Sequence, residues 1–183
     1  MEKAINLPLT DEVIKTLKAG DRIWLSGKIY TARDLAHKKL IETLNEGKKL
    51  PVDLEGQVLY YCGPTPPRQG KVIGSAGPTT SSRMDALTEP LLKIGLKGAI
   101  GKGARSEDVV KLFKKHKAVY FAAIGGAGAL LAQAIKSAKV VAYPELGPEA
   151  IYELEVASLP VFVANDINGH DIFKEGVKKF NEK

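Results

Sequence analysis

Three short segments hold most of the residues able to do chemistry. GSAGPTTSSRMD, residues 74–85, sets two glycines, a proline and four consecutive hydroxyl residues directly before Arg83. TARDLAHKK places His37 four residues after Arg33, and GKG at 101–103 presents Lys102 between glycines. In the first segment Gly74 and Gly77 permit unusual backbone angles and close ligand approach, Pro78 suits the turn before a helix, and Thr79 or Thr80 is a good N-cap. Amides at such a helix start face outward and favour an anion. A basic residue at that end opposes the helix dipole, so Arg83 needs a compensating gain, which a bound carboxylate or phosphate would supply. The alternative is a plain capped helix whose Arg83 pairs with Asp85 or Asp34. Arg33 and His37 project from one helical face, where they would bind a carboxylate and titrate near neutrality, or else form an ordinary solvated pair.

Other motifs are broken. GAIGKGARS departs from the phosphate loop GxxxxGK[ST] at Leu96 and Gly103, so that nucleoside triphosphate reading fails. IGGAGALL imitates a dinucleotide-binding turn, and Glu145 ends the next expected strand where a ribose-binding acid would sit, but Leu131 stands at the third glycine position. Either a nucleotide-binding module using Gly125–Gly128 or tight strand–helix packing accounts for it. His37, His116 and His170 belong to no HxxxH or CxxC arrangement, so no metal site is expected within this chain. Cys62 is the only cysteine, which excludes an internal disulfide and any site needing several thiolates from this chain.

The elements that must position these residues follow an α/β pattern. A capped helix is expected after Thr10, ending near Gly20, then a strand over RIWLSGKIY and a helix from Ala32 to about Asn45. Strands are expected at 58–62, 71–77 and 99–103, with a helix from Thr80 to about Ile94 that Pro90 should kink or restart. Then come a capped helix over 106–116, a strand AVYFAAI, a loop-helix GGAGALLAQAIKSAK and a strand KVVAYPE, which together read as β-α-β. AIYELEVAS and PVFVAND read as two strands separated at Leu159-Pro160, before a terminal helix from about Asp171. The expected fold is one α/β domain over residues 1–183 with a mixed sheet.

Composition bounds the partners. The 183 residues are 44% hydrophobic and 26% charged, enough for a real core. A net charge of +6 suits nucleic acid, an acidic partner or small anions. The lysine runs at 38–39, 48–49, 111–117 and 178–179 lie on or beside expected amphipathic helices without interleaved aromatics, so they read as solvated faces and not as a nucleic-acid stripe. The N-terminal MEKAINLPLTDEV lacks an export signal's apolar region, and no stretch approaches the roughly eighteen apolar residues of a membrane span. The cytoplasm is the expected location, with no membrane partner.

Taken together, GSAGPTTSSRMD, TARDLAHKKL, GKG at 101–103 and ELGPEAIYELEVASLPVFVANDINGHDIF resemble the β subunit, or C-terminal domain, of class I iron–sulfur fumarate hydratases and the related L(+)-tartrate dehydratases. The similarity runs from about Leu7 to Phe173. Pro148 departs from the methionine expected in that pattern, at a position expected to lie outside the site. The resemblance implies a swivelling β/β/α domain paired with a larger α subunit that carries a [4Fe–4S] cluster on three cysteines, in an α2β2 assembly. It implies reversible hydration of fumarate to (S)-malate, with the open iron as Lewis acid on the departing hydroxyl. By similarity Arg33 and Arg83 would bind the carboxylates of a small dicarboxylate, Thr79 and Thr80 would contact substrate, and Lys102 would add charge stabilisation. Thr79 would be the base on resemblance, and His37 is the alternative on chemistry, with an ordinary pKa of about 6.5. An L(+)-tartrate dehydratase β subunit, a nucleotide-binding module, and a structural subunit that only shields the partner's cluster remain as alternatives.

Overall fold

The computed structural model describes residues 1–181; residues 182 and 183, which the expected domain range includes, lie outside the described residues. Burial on both faces dictates the sheet. Val58, Tyr60 and Cys62 point into one apolar cluster while Leu59 and Tyr61 point into another, and Val119, Tyr120 and Phe121 divide in the same way. Strands covered on both sides read as continuous apolar runs, as VLYYC and AVYFAA do.

Seven strands result: β1 (Glu2–Asn6), β2 (Arg22–Thr31), β3 (Val58–Tyr60), β4 (Gly98–Gly101), β5 (Val119–Ala122), β6 (Ile135–Ala142) and β7 (Ile151–Asn165). Strands β2, β3, β4 and β5 run parallel in that order. The 15-residue β7 runs antiparallel to both β5 and β2, closing a five-stranded barrel-like ring. The mixed sheet is extended by β1 beside β2 and by β6 beside β7. The inner cluster, with Ile23, Leu25, Ile100, Phe121, Leu154 and Val161, fills the ring. The outer cluster packs three helices on the other face, α2 (Asp34–Asn45), α3 (Asp85–Lys93) and α4 (Glu107–Lys115), through Leu40, Leu91, Leu92 and Phe113. The short α1 (Asp11–Lys15), α5 (Gly128–Gln133) and the terminal α6 (Ile172–Asn181) complete the fold.

Several expected elements differ. Residues 71–77 form no strand; the segment folds back on a proline-rich loop, with Thr65 N donating to Ser75 O at 3.0 Å and Gly74 N to Thr65 O at 3.1 Å. The helix expected over GGAGALLAQAIKSAK stops at Gln133, because IKSAK instead joins KVVA in β6 on the edge of β7, with Lys136 and Lys139 exposed. This β6 is antiparallel to its neighbour, so the parallel β-α-β crossover that a dinucleotide fold needs does not form. AIYELEVAS and PVFVAND are one strand, not two. Pro160 is tolerated because the edge of β7 away from β2 carries no ladder partner between Val156 and Phe162, so a missing N–H breaks no pair there. The helix expected from Thr80 is a 3₁₀ turn, Ser81–Met84, followed by α3, which continues through Pro90; the discontinuity falls at Met84–Asp85. Strand β1 was not expected from the sequence.

Candidate functional site at the carboxyl ends of the parallel strands

The chain leaves β2, β3 and β4 at the same end of the ring, and the segments that follow carry Arg33, Gly63 and Lys102 respectively. In sheets with parallel strands this end is where ligand sites form, because the loops there converge. The GPTTSS segment is drawn into the gap between two of these exits. Cys62 bridges Pro78, Thr79 N donates to Tyr61 O at 2.6 Å, Lys102 N donates to Thr79 O at 3.1 Å, and Ser81 N donates to Lys102 O at 2.9 Å. Thr79 is thereby pinned on both sides of its backbone and is half-buried, while Thr80 and Lys102 are exposed. The expectation of free outward-facing amides at a helix start does not hold for Thr79 and Ser81, whose amides are consumed in these pairings.

Two glycines make the close approach possible. A Cβ on Gly101 would sit 1.9 Å from Ser81 Oγ, and one on Gly63 would sit 2.7 Å from Arg33 Nη1 and 3.0 Å from its Cδ. Arg33 therefore lies across the Gly63 backbone. Its Nη2 is 3.6 Å from Glu149 Oε1 and its Nε is 3.9 Å from Asp34 Oδ2. Arg83 is half exposed and meets the same aspartate, with Nε donating to Oδ1 at 3.0 Å and Nη2 2.9 Å from Oδ2. Of the two acids the sequence offered Arg83, Asp34 takes it and Asp85 does not. Pro148 is exposed, and only its backbone carbonyl approaches this cluster, 3.1 Å from the Gly63 Cβ position.

His37 is not beside Arg33 on an open face. It is fully buried, with Nδ1 2.9 Å from Arg33 O and its ring set edge-on to Tyr61 at 5.2 Å. Burial, opposed by the Arg33 carbonyl and reinforced by the Arg105 charge, pulls its pKa down to about 4. The imidazole is neutral at pH 7, and the expected titration near neutrality does not hold.

Arg105, which the sequence reading passed over, anchors the floor beneath. Buried among Tyr61, Phe113 and Tyr120 with ring centroids 5.3–5.5 Å from its guanidinium, it donates from Nε to Asp85 Oδ1 at 2.6 Å and from Nη2 to Thr88 Oγ1 at 2.7 Å. Tyr120 in turn donates to Gly103 O at 2.7 Å and lies 2.9 Å from Ser81 Oγ, tying the floor to the hydroxyl segment. Nothing in SEDVV-type helix patterning signals a buried arginine one residue before its N-cap; only the fold supplies three aromatic neighbours.

The IGGAGALL turn serves packing. A Cβ on Gly128 would fall 2.9 Å from Gly77 N and 2.3 Å from Ser75 Oγ, and Ala76 N donates to Gly128 O at 3.1 Å. The turn holds the 74–78 segment in place, and Gly125 borders the Lys102 side chain, whose Cδ a Cβ on Gly125 would meet at 3.4 Å.

A family model described as "Fumarase C-terminus" matches residues 1–176. The chain belongs to the fumarase C-terminal family. A relative in Methanocaldococcus jannaschii, named "Putative L(+)-tartrate dehydratase subunit beta", is 43% identical and aligns with 100% of this chain and 96% of its own length. "Fumarate hydratase class I, aerobic" of Escherichia coli K12 is 42% identical over 84% of this chain and 28% of its own length. "Fumarate hydratase 2" of Leishmania major is 38% identical, with coverages of 85% and 28%. The chain thus spans less than a third of these two fumarate hydratases and nearly all of the M. jannaschii relative.

Cys62 lies in the ring interior with its thiol pushed up to about 12 by burial, the reverse of what a thiolate ligand requires. Among the described residues no three His, Cys, Asp or Glu side chains converge on a metal-sized point. No helix among the described residues is long and apolar enough to cross a membrane.

Proposed function

We propose that this chain is the β subunit of an iron–sulfur fumarate hydratase, forming half of a dicarboxylate site that a larger α subunit completes. The observation that supports this most strongly is the backbone pairing of Thr79 and Ser81 with Lys102, beside the Arg33–Asp34–Arg83 cluster at one end of the parallel strands. In this reading Arg33 and Arg83 hold the two carboxylates, since guanidinium donors match carboxylate geometry. Lys102 stabilises charge developing on the substrate, and Thr80 contacts it from the exposed edge. A [4Fe–4S] cluster on the α subunit would supply the Lewis acid for the departing hydroxyl.

Thr79 stands nearest to the acid-base role among the residues named, because its backbone is fixed on both sides. Its hydroxyl alone is a weak base, and His37 is turned away into the core, so the group that exchanges the proton with Thr79 belongs to the partner in this account. An α2β2 assembly in the cytoplasm follows from the same reading.

One observation favours a second substrate. The relative that matches nearly end to end carries the tartrate dehydratase subunit name, whereas the fumarate hydratases named above are several times longer. Co-expression with the α subunit under anaerobic conditions, followed by fumarate hydration and L(+)-tartrate dehydration assays, separates the two. Fumarate turnover that is lost in air supports the first reading. Tartrate turnover without fumarate turnover moves the assignment to the sister enzyme. Full activity retained by both Thr79→Ala and Arg33→Ala would leave only a shielding role.

A further inference from the structure

Helix α2 begins without a conventional cap. Arg33 stands at the N-cap position and makes no side-chain capping bond, while Asp34, a residue type that caps well, sits one position too late. The open Leu35 amide is satisfied from another segment instead, donating to Glu149 Oε2 at 2.9 Å. That leaves the Asp34 carboxylate for the arginines: Arg83 Nε donates to Oδ1, while the buried Oδ2 makes no hydrogen bond and meets Arg83 Nη2 at 2.9 Å and Arg33 Nε at 3.9 Å through charge alone.

We propose that Asp34 is a positioning residue that bridges Arg33 and Arg83 and orients the Arg83 guanidinium for a second carboxylate; this rests on the reading of both arginines as substrate anchors. The pairing geometry separates orienting from blocking. A guanidinium has two forks, a side fork of Nε and Nη2 and a terminal fork of Nη1 and Nη2. Asp34 accepts from the Nε of Arg83 and lies 2.9 Å from its Nη2, on the side fork, so Nη1 has no contact with Asp34, on a side chain that is half exposed. The arginine comes from a segment 49 residues away in sequence, on a long flexible side chain. Without Asp34 an incoming dicarboxylate would have to order that chain itself and bring two like charges together unaided. With Asp34 and Glu149 beside them, the two cations are held with their charge partly offset before substrate arrives.

Asp34→Asn tests this in the assembled enzyme and in the isolated full chain. In the enzyme, KM for the dicarboxylate should rise about tenfold while kcat stays within about threefold, the split expected when ordering of the bound state is lost. In the chain, the Arg83 Nε–H resonance, assigned against Arg83→Lys, should be slow to exchange in the wild type and fast in Asp34→Asn. An unchanged KM, a lower KM, or kcat and melting temperature falling together would each overturn the proposal; a lower KM would mean that Asp34 competes with substrate. If the wild-type enzyme turns over no dicarboxylate, the anchor reading fails first, and the Nε–H exchange alone decides whether Asp34 orders Arg83.

Discussion

Acidification should weaken this fold through one side chain in particular. His37 has a folded pKa of about 4 against an ordinary 6.5, chiefly because its imidazole is buried. The unfolded chain takes up a proton below pH 6.5, whereas the folded chain resists until about pH 4. Between those values the unfolded state binds more protons, so stability is complete above pH 6.5 and falls as pH drops through the window. At about 1.4 kcal/mol for each pH unit of displacement, the loss between pH 7 and pH 4 is about 3 kcal/mol. The comparison protein is His37→Asn, whose side-chain amide still donates to the Arg33 carbonyl but does not titrate. Urea unfolding of both full chains at several pH values gives the difference in unfolding free energy, from which carboxylate titrations common to both cancel. The wild type should lose about 3 kcal/mol relative to the variant on going from pH 7 to pH 4. A difference independent of pH, or one that grows on acidification, would refute the burial of a neutral imidazole behind Arg33.

Three other substitutions test the surroundings of the site. Gly63→Ala places a methyl group 2.7 Å from Arg33 Nη1 and 3.1 Å from Pro148 O, so it should displace Arg33 and raise the substrate KM about tenfold, measured by steady-state kinetics of the assembled enzyme. Gly101→Ala drives a methyl group to within 1.9 Å of the buried Ser81 Oγ; denaturant unfolding should show a cost of about 1–3 kcal/mol. Arg105→Met removes the cation beneath the site and leaves Asp85 without its ion-pair partner, at a cost of about 3–5 kcal/mol in the same assay. A change below about 1 kcal/mol would show that the buried pair is not holding the floor.

The segments that meet at one end of the parallel strands were legible in the sequence, their contacts there less so. Arg83 stands out because a basic residue at a helix start opposes the dipole, and in the structure Asp34 answers that conflict. The parallel strands β3, β4 and β5 were visible as apolar runs. What misled was local propensity read without its neighbours. IKSAK has alanine and lysine at helical spacing, yet the free edge of β7 draws it into a strand. Pro160 looks like a strand break until the unpaired stretch of edge beside it is known. His37 seemed paired with Arg33 because residues four apart share a helix face, but that face turns inward under Tyr61. The bridging roles of Asp34 and Glu149 depend on contacts across 49 and 114 residues of sequence, which no local pattern encodes.

Arg83 offers the most direct measurement, since its exposed side chain is the anchor least entangled with the core. In the anaerobically assembled complex, Arg83→Ala should lower kcat/KM for the dicarboxylate by roughly a hundredfold or more, the loss of a charge-assisted contact to one carboxylate, with little change in melting temperature. A kcat/KM within a fewfold of wild type would contradict the placement of the substrate between Arg33 and Arg83.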